Sequence, residues 1–292
     1  MTQISDLRRR SDFRFSHRLR VRWAEVDMQK IVFNAHYLMY FDTAITDYWR
    51  ALALPYEEAM ERLGGELYVK KTSVEFHASA RYDDQLDVAL RCQRIGTSSI
   101  NFAGAIFRGD ELLVTCELIY VFADPKTQRS RPVPPGLRQM LEGFEDGQSM
   151  VTLKTGSWQI LGEDAMDVRI EVFVDEQGIA LELENDRKDA EALHVVAYNG
   201  IGQVVATGRL MKGKPGQAVI GRMAVKRVLR GSGLGAALLR ALQVQAVRRG
   251  DCEVRLYAQC SAQGFYQRLG YRPLGKVFEL VGLPHIEMVL EW

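Results

Sequence analysis

The sequence predicts two domains of different class, an α+β domain over residues 15–140 and an α/β domain over residues 157–292, joined by a linker at 141–156. Three observations carry this reading. A chain of 292 residues is about twice the commonest domain size. The segment Asp124 to Met150 gathers Pro125, Pro132, Pro134 and Pro135, which a central strand does not tolerate, and ends on the polar stretch Glu145 to Ser149. Before that segment, helical periodicity gives way to a run of strand-like segments; after it, strands and helices alternate about a glycine-rich turn. No internal repeat relates the two halves.

The first half opens on a strand-like segment, His17 to Trp23, in which Leu19, Val21 and Trp23 alternate with Arg18, Arg20 and Arg22. A turn-like stretch around Asp27 leads to Ala35–Ala53, a long, largely apolar helix carrying Tyr37, Tyr40, Phe41, Ala44 and Tyr48. A shorter helix is expected to begin after Pro55 and to end at Gly64 and Gly65. Four strands follow, Leu67–Ala80, Gln85–Ile95, Ser98–Arg108 and Leu112–Ala123, and their tight connections at Gly96 and Gly109 favour antiparallel neighbours. Leu137, Met140, Leu141 and Phe144 have the spacing of a short closing helix.

The stretch VRWAEVDMQKIVFNAHYLMYFDTAITDYW and the later ARYDDQLDV resemble the 4-hydroxybenzoyl-CoA thioesterase and YbgC/FadM-like hotdog family over about residues 15–140. The resemblance implies a hotdog fold, thioester hydrolysis, a homodimer or homotetramer, and a catalytic acid at Asp27. A carboxylate there would attack the thioester carbonyl or prepare water, and N–H groups at the start of the long helix would receive the developing oxyanion. Asn34 matches the family's polar position ahead of that helix and is expected to orient the loop or contact the thioester, with a helix cap as the competing role. Of its neighbours His36 and Tyr37, only Tyr37 follows the family pattern. Many relatives carry Gly where this chain has Lys30, so a positive φ there would be strained. Lys30 could instead meet a CoA or acyl anion. Glu75 and Asp83 read as sheet-edge or surface carboxylates.

In the second half a helical stretch runs through Ala165 to Phe173, and strand-like runs follow at His194–Tyr198, Gln203–Met211 and Ala218–Val225. A helix at Gly235–Arg249, a strand at Glu253–Ala258 and a short helix at Ala262–Leu269 complete the pattern. The loop before the long helix is Arg230, Gly231, Ser232, Gly233, Leu234, Gly235. Small residues there let successive N–H groups approach a pyrophosphate, with the positive end of the helix behind them. A dinucleotide-binding unit is disfavoured, because no matching acidic ribose residue accompanies the loop.

This loop resembles the acetyl-CoA loop of the GNAT superfamily. Together with VFVDEQGIALELENDRKDAEALHVVAYNG, AQCSAQGFYQRLGY and PHIEMVL it is similar to the ElaA/YjcF-like branch over about residues 157–291. The resemblance implies an N-acyltransferase using acetyl-CoA or another acyl-CoA as cosubstrate, with an amine of unknown identity as acceptor. It places Tyr266 near the CoA sulfur as the acid, and the backbone of Met223, Ala224 and Val225 along the pantetheine arm. Glu176, Glu182, Glu184, His194 and His285 are the candidates for the base. Cys260 has no Cys/His arrangement around it and is not expected to be a nucleophile.

Composition limits the remaining classes. The net charge is +1 and both halves are close to neutral, so no nucleic-acid footprint is expected. The run Arg8, Arg9, Arg10 reads as a solvated tail. No leader or membrane-spanning run is evident, and Cys92, Cys116, Cys252 and Cys260 lack metal spacing. A cytoplasmic protein with reduced thiols and no metal is expected. Three accounts stay open: a bifunctional thioesterase and acyltransferase, an acyltransferase whose first domain only dimerises or recognises acyl groups, and a CoA-ester-responsive interaction protein without activity.

Overall fold

The computed structural model describes residues 8–292, which divide by their contacts into two compact units at Met150/Val151. Each is an independent layer structure.

In the first unit, β1 (Phe15–Arg20) leads through a 3-10 turn (Trp23–Glu25) to α1 (Asn34–Ala51) and α2 (Tyr56–Leu63). The antiparallel strands β2 (Glu66–Phe76), β3 (Gln85–Ile95), β4 (Ser99–Arg108) and β5 (Glu111–Ala123) follow, then α3 (Pro135–Glu145). The sheet order is β1-β3-β4-β5-β2. Tyr37, Phe41, Ala44, Tyr48 and Trp49 recur at helical spacing, so α1 lays one apolar stripe on the sheet. Close approach depends on Gly104 of β4: a Cβ there would lie 2.6 Å from the Phe41 ring. α2 ends where Gly64 takes a left-handed φ of +68°.

Some expectations differ in outcome. The strand expected at His17–Trp23 stops at Arg20, because the 3-10 turn diverts the chain and leaves Trp23 exposed. The arginine run is not a solvated tail throughout. Arg10 donates to the Phe13 carbonyl (3.0 Å) and to Ser16, while Phe13 is buried among Ala89, Ala103, Ala105 and Phe107.

The second unit begins inside the segment expected to be a linker. Residues 141–156 hold the end of α3 and all of β6 (Val151–Gly156), which pairs antiparallel with β7 (Leu193–Asn199). Between them lie α4 (Trp158–Arg169), a π-helical turn (Ile170–Glu176) and the short α5 (Leu181–Glu184). Then come β8 (Val204–Lys212), β9 (Gln217–Val225), α6 (Leu234–Arg248), β10 (Glu253–Gln259), α7 (Gln263–Arg268), β11 (Arg272–Leu280) and β12 (Leu283–Glu291). The order is β11-β12-β10-β9-β8-β7-β6, with β9 and β10 the parallel pair. Consecutive residues of β8 face opposite sides. A Cβ on Gly208 would meet Leu242 of α6, while Arg209 reaches the carboxylates around Arg169 of α4. The two long helices thus cover opposite faces.

Candidate active sites

The parallel pair in the second sheet is short. β9 and β10 are in register only from Gln217/Glu253 to Ile220/Leu256, and beyond that each strand runs on without the other. At the divergence β9 bulges against β8, and Arg222 takes a φ of +52°. The Val225 carbonyl turns away from β8 and accepts from Arg230 Nε (3.1 Å). A cleft of about 400 Å³ opens here, with Phe173, Ile179, Met223, Tyr257, Tyr266 and His285 among its walls.

Beside the parted strands lies the glycine loop. Gly231 and Gly233 have φ of +86° and +89°, conformations that residues with a Cβ rarely adopt, and nothing lies within 4 Å of where their Cβ atoms would be. α6 begins at Leu234, and its first N–H groups have no intrahelical partner. The Ser232 hydroxyl is turned back onto the Leu229 carbonyl (2.6 Å). Free N–H groups, open space and a helix of 15 residues make an anion cradle. The Arg230 guanidinium is committed elsewhere, to both oxygens of Glu176 (2.7 and 2.6 Å).

The other wall is held by charge. Arg169, 1% exposed, pairs with Glu184 and Asp189; Arg209 pairs with Asp186 and Asp189; Arg222 pairs with Glu184 and Asp186. Breaking one such buried pair costs about 3–5 kcal/mol, so the cluster fixes residues 183–189 against the sheet. Burial raises the pKa of Glu184 despite its arginine partners. Burial likewise lowers that of His194, whose Nε2 lies 3.0 Å from the Asp189 carbonyl. Tyr266, from α7, has its phenol pushed up to about 12 by burial and so stays a proton donor at neutral pH.

In the first unit, Asp27 closes a tight turn. Its N–H donates to the Ile31 carbonyl (2.9 Å), its carbonyl accepts from Lys30 N–H (3.0 Å), and its Oδ1 accepts from Gln29 N–H (2.8 Å). Lys30 takes a φ of +62° in this turn. The turn is pinned from behind by Glu25, a buried carboxylate that accepts from Tyr40 OH (2.7 Å) and Arg22 N–H (2.7 Å). Burial would raise the Glu25 pKa, but these hydrogen bonds and the Arg22 guanidinium hold it below the usual carboxylate range. Phe33 N–H donates to the Glu25 carbonyl (3.0 Å), bringing the start of α1 beside the turn. A cavity of about 530 Å³ is lined there by Asp27, Asn34, Tyr37 and Phe76. Phe33, not Asn34, is the cap residue of α1, and Tyr37 OH accepts from Ala80 N–H (2.9 Å).

A thioesterase-like superfamily profile matches residues 21–141, and an acetyltransferase (GNAT) domain profile matches residues 162–292. The uncharacterized N-acetyltransferase YjcF of Bacillus subtilis is 38% identical over 128 residues, which are 44% of this chain and 90% of that protein. Protein ElaA of Escherichia coli is 32% identical over 130 residues, 43% of this chain and 84% of ElaA. A solved putative N-acetyltransferase from Lactobacillus plantarum is 27% identical, covers 49% of this chain and 99% of its own, and superposes with a TM-score of 0.47. The chain joins a hotdog thioesterase-like domain to a GNAT acetyltransferase domain.

In the GNAT domain the glycine loop, Met223 and Tyr266 converge on the parted strands, as does His285. Glu182 and Cys260 do not line the cleft, and His194 is buried away from it. Glu176 and Glu184 are both tied to arginines. In the hotdog domain Asp27, Asn34 and Tyr37 share one cavity, while Asp83 pairs with Arg20 on the surface (2.8 Å) and Glu75 lies outside it. Glu25, Arg169, Arg209 and Arg222 escaped sequence reasoning. A buried, paired charge looks in a sequence like any surface charge, and only the position of Glu25 two residues before Asp27 offered a hint. Among the described residues no group of three or more His, Cys, Asp or Glu side chains is arranged to hold a metal.

Proposed function

We propose that this protein is bifunctional: its GNAT domain transfers an acetyl group from acetyl-CoA to an amine, and its hotdog domain hydrolyses an acyl-CoA. The observation that carries the first activity is the juxtaposition of the parted β9 and β10 with an anion cradle whose glycines have φ near +90°. In this reading the pyrophosphate sits on the N–H groups of Gly231, Gly233, Leu234 and Gly235, with Ser232, whose N–H donates to the Leu229 carbonyl (3.4 Å), shaping the loop around it. Arg230 holds the loop through its pair with Glu176. The pantetheine arm runs along Met223, Ala224 and Val225 in the gap. The amine attacks the thioester carbonyl, the C–N bond forms as the C–S bond breaks, and Tyr266 donates its proton to the departing sulfur.

The acceptor side favours an amine on an apolar body. Phe173, Ile179, Leu183, Leu280 and Val281 line it, and the carboxylates of that lining, Glu184 and Asp186, are both paired with arginines rather than open to a polycation.

For the hotdog domain, Asp27 acts on the thioester as nucleophile or base, and the first N–H groups of α1 stabilise the oxyanion. Asn34 contacts the substrate at the mouth. Trp23, Met28 and Phe33 stand exposed near the cavity and β2 is an edge strand, features that support a homodimer or homotetramer completing the site. The four free cysteines, two of them buried in β3 and β5, fit a reducing, cytoplasmic setting. No helix among the described residues is long and apolar enough to cross a membrane.

Replacing Tyr266 by Phe tests the transfer. Amine-dependent thiol release is expected to fall about 100-fold or more while acetyl-CoA affinity is kept; an unchanged rate would remove Tyr266 from the chemistry.

A further inference from the structure

We infer that His285 is the base that takes the proton from the attacking amine, an inference that rests on the acetyltransferase reading above. The cleft itself narrows the choice. Its titratable lining residues are Glu184, Asp186, Lys188, Arg209, Arg222, Tyr257, Tyr266 and His285. Glu184 and Asp186 are held by Arg169, Arg209 and Arg222. An ammonium has no lone pair to offer, and a phenol O–H is a proton donor, the role already given to Tyr266. Outside the cleft, Glu176 is locked to Arg230 and His194 is enclosed at 1% exposure. The remaining carboxylates near His285 are not directed at it: Glu287, further along β12, is held by Arg255 (3.0 Å), and Glu279 of β11 is exposed.

His285 is also oriented for the task. It stands on β12 opposite Gln259, the last residue of β10, at the end where β10 has parted from β9. Its Nδ1 lies 2.9 Å from the Leu283 carbonyl. A carbonyl only accepts, so the ring donates from Nδ1, and the neutral imidazole carries its lone pair on Nε2. The Phe278 ring packs over it with centroids 6.2 Å apart and planes 30° from parallel, limiting rotation of the imidazole. Gln259, facing the same side, donates to Gln177 (2.8 Å) at the end of the π-helical turn and ties the two walls of the cleft together.

The step balances without another reactant. The amine nitrogen bonds to the thioester carbon, its proton passes to Nε2, the C–S bond breaks, and the sulfur takes the proton of Tyr266. Imidazolium and phenolate then return to neutrality by proton exchange through water, leaving amide and free CoA.

Two readouts test this. The first needs no acceptor: in the full chain with acetyl-CoA bound, ¹⁵N-labelled histidine is expected to show His285 neutral with Nδ1 protonated and Nε2 bare, and the reverse tautomer would overturn the inference. The second measures thiol release with acetyl-CoA and a panel of arylalkylamines, polyamines and amino-acid amides. His285→Asn keeps a donor toward the Leu283 carbonyl but removes the base. It is expected to lower kcat by about 10²–10⁴-fold and to leave acetyl-CoA affinity within about 2-fold. His285→Gln, which retains more of the side-chain volume, serves as the second variant and carries the same expectation. A parent that transfers acetyl groups, matched by both variants in kcat, sinks the role of His285 alone. A parent that does not bind acetyl-CoA overturns the acetyltransferase reading and this inference with it.

Discussion

Glu176 and Arg230, 54 residues apart in sequence, face each other as a bidentate carboxylate–guanidinium pair. The carboxylate belongs to the π-helical turn and the guanidinium to the first residue of the glycine loop, while the same Arg230 also reaches the Val225 carbonyl of β9. One side chain therefore joins the glycine loop, the strand that borders the gap and the π-helical turn that flanks the cleft.

Glu176→Gln should weaken acetyl-CoA binding by about 2- to 5-fold, the range for a partly exposed ion pair. Hydrogen bonding to Arg230 lowers the Glu176 pKa. A carboxyl with a lowered folded-state pKa contributes its stabilisation above the unfolded value and loses it as pH falls through the lowered one. The gap between parent and variant should accordingly be full at neutral pH and close below the carboxylate range, as titration calorimetry across pH would record. A gap that persists in acid would mean that the pair is not its source.

Lys30→Gly should stabilise the hotdog domain. The left-handed φ of Lys30 costs a residue with a Cβ roughly 1 kcal/mol, partly offset by the greater unfolded-state freedom of Gly. A net gain of about 0.5 kcal/mol is expected, seen as a higher Tm of the hotdog transition. A lower Tm would mean that the lysine side chain makes a contribution larger than the strain. The turn closes around Asp27 with lysine in place.

Glu145 gives a pH dependence of opposite sign. It is half-buried, accepts from Tyr48 OH (2.6 Å) and Cys92 N–H (2.9 Å), and burial raises its pKa despite these bonds. The folded state thus holds its proton more tightly than the unfolded state, and stability falls as pH rises from the ordinary carboxylate range through the raised value. A Gln carbonyl accepts the same two bonds without the charge. Glu145→Gln should flatten that slope and raise Tm at neutral pH by a few degrees. An unchanged slope would assign it to another group.

Much of this architecture is legible in the residues. The period of Tyr37, Phe41, Ala44 and Tyr48 specifies α1, Gly96 and Gly109 specify the hairpins, and Gly231 and Gly233 announce the anion cradle. The 3-10 turn at Trp23 is not legible, because the alternation of Arg18 to Trp23 continues through it and only the long-range pairing of β1 with β3 ends the strand. β6 is hidden for a similar reason: it is short, half polar, and made a strand by its partner β7. The choice among candidate bases was not open to sequence reasoning, since Glu176, Glu184 and His285 differ only in what they touch.

The bifunctional account stands or falls on thiol release from a panel of acyl-CoAs by the purified chain, without and then with amines. It expects release without amine that Asp27→Asn abolishes and Tyr266→Phe spares, and further amine-dependent release from acetyl-CoA that Tyr266→Phe abolishes and Asp27→Asn spares. No release until amine is added would reduce the hotdog domain to a recognition or assembly module. Release insensitive to both substitutions would contradict the account at both sites.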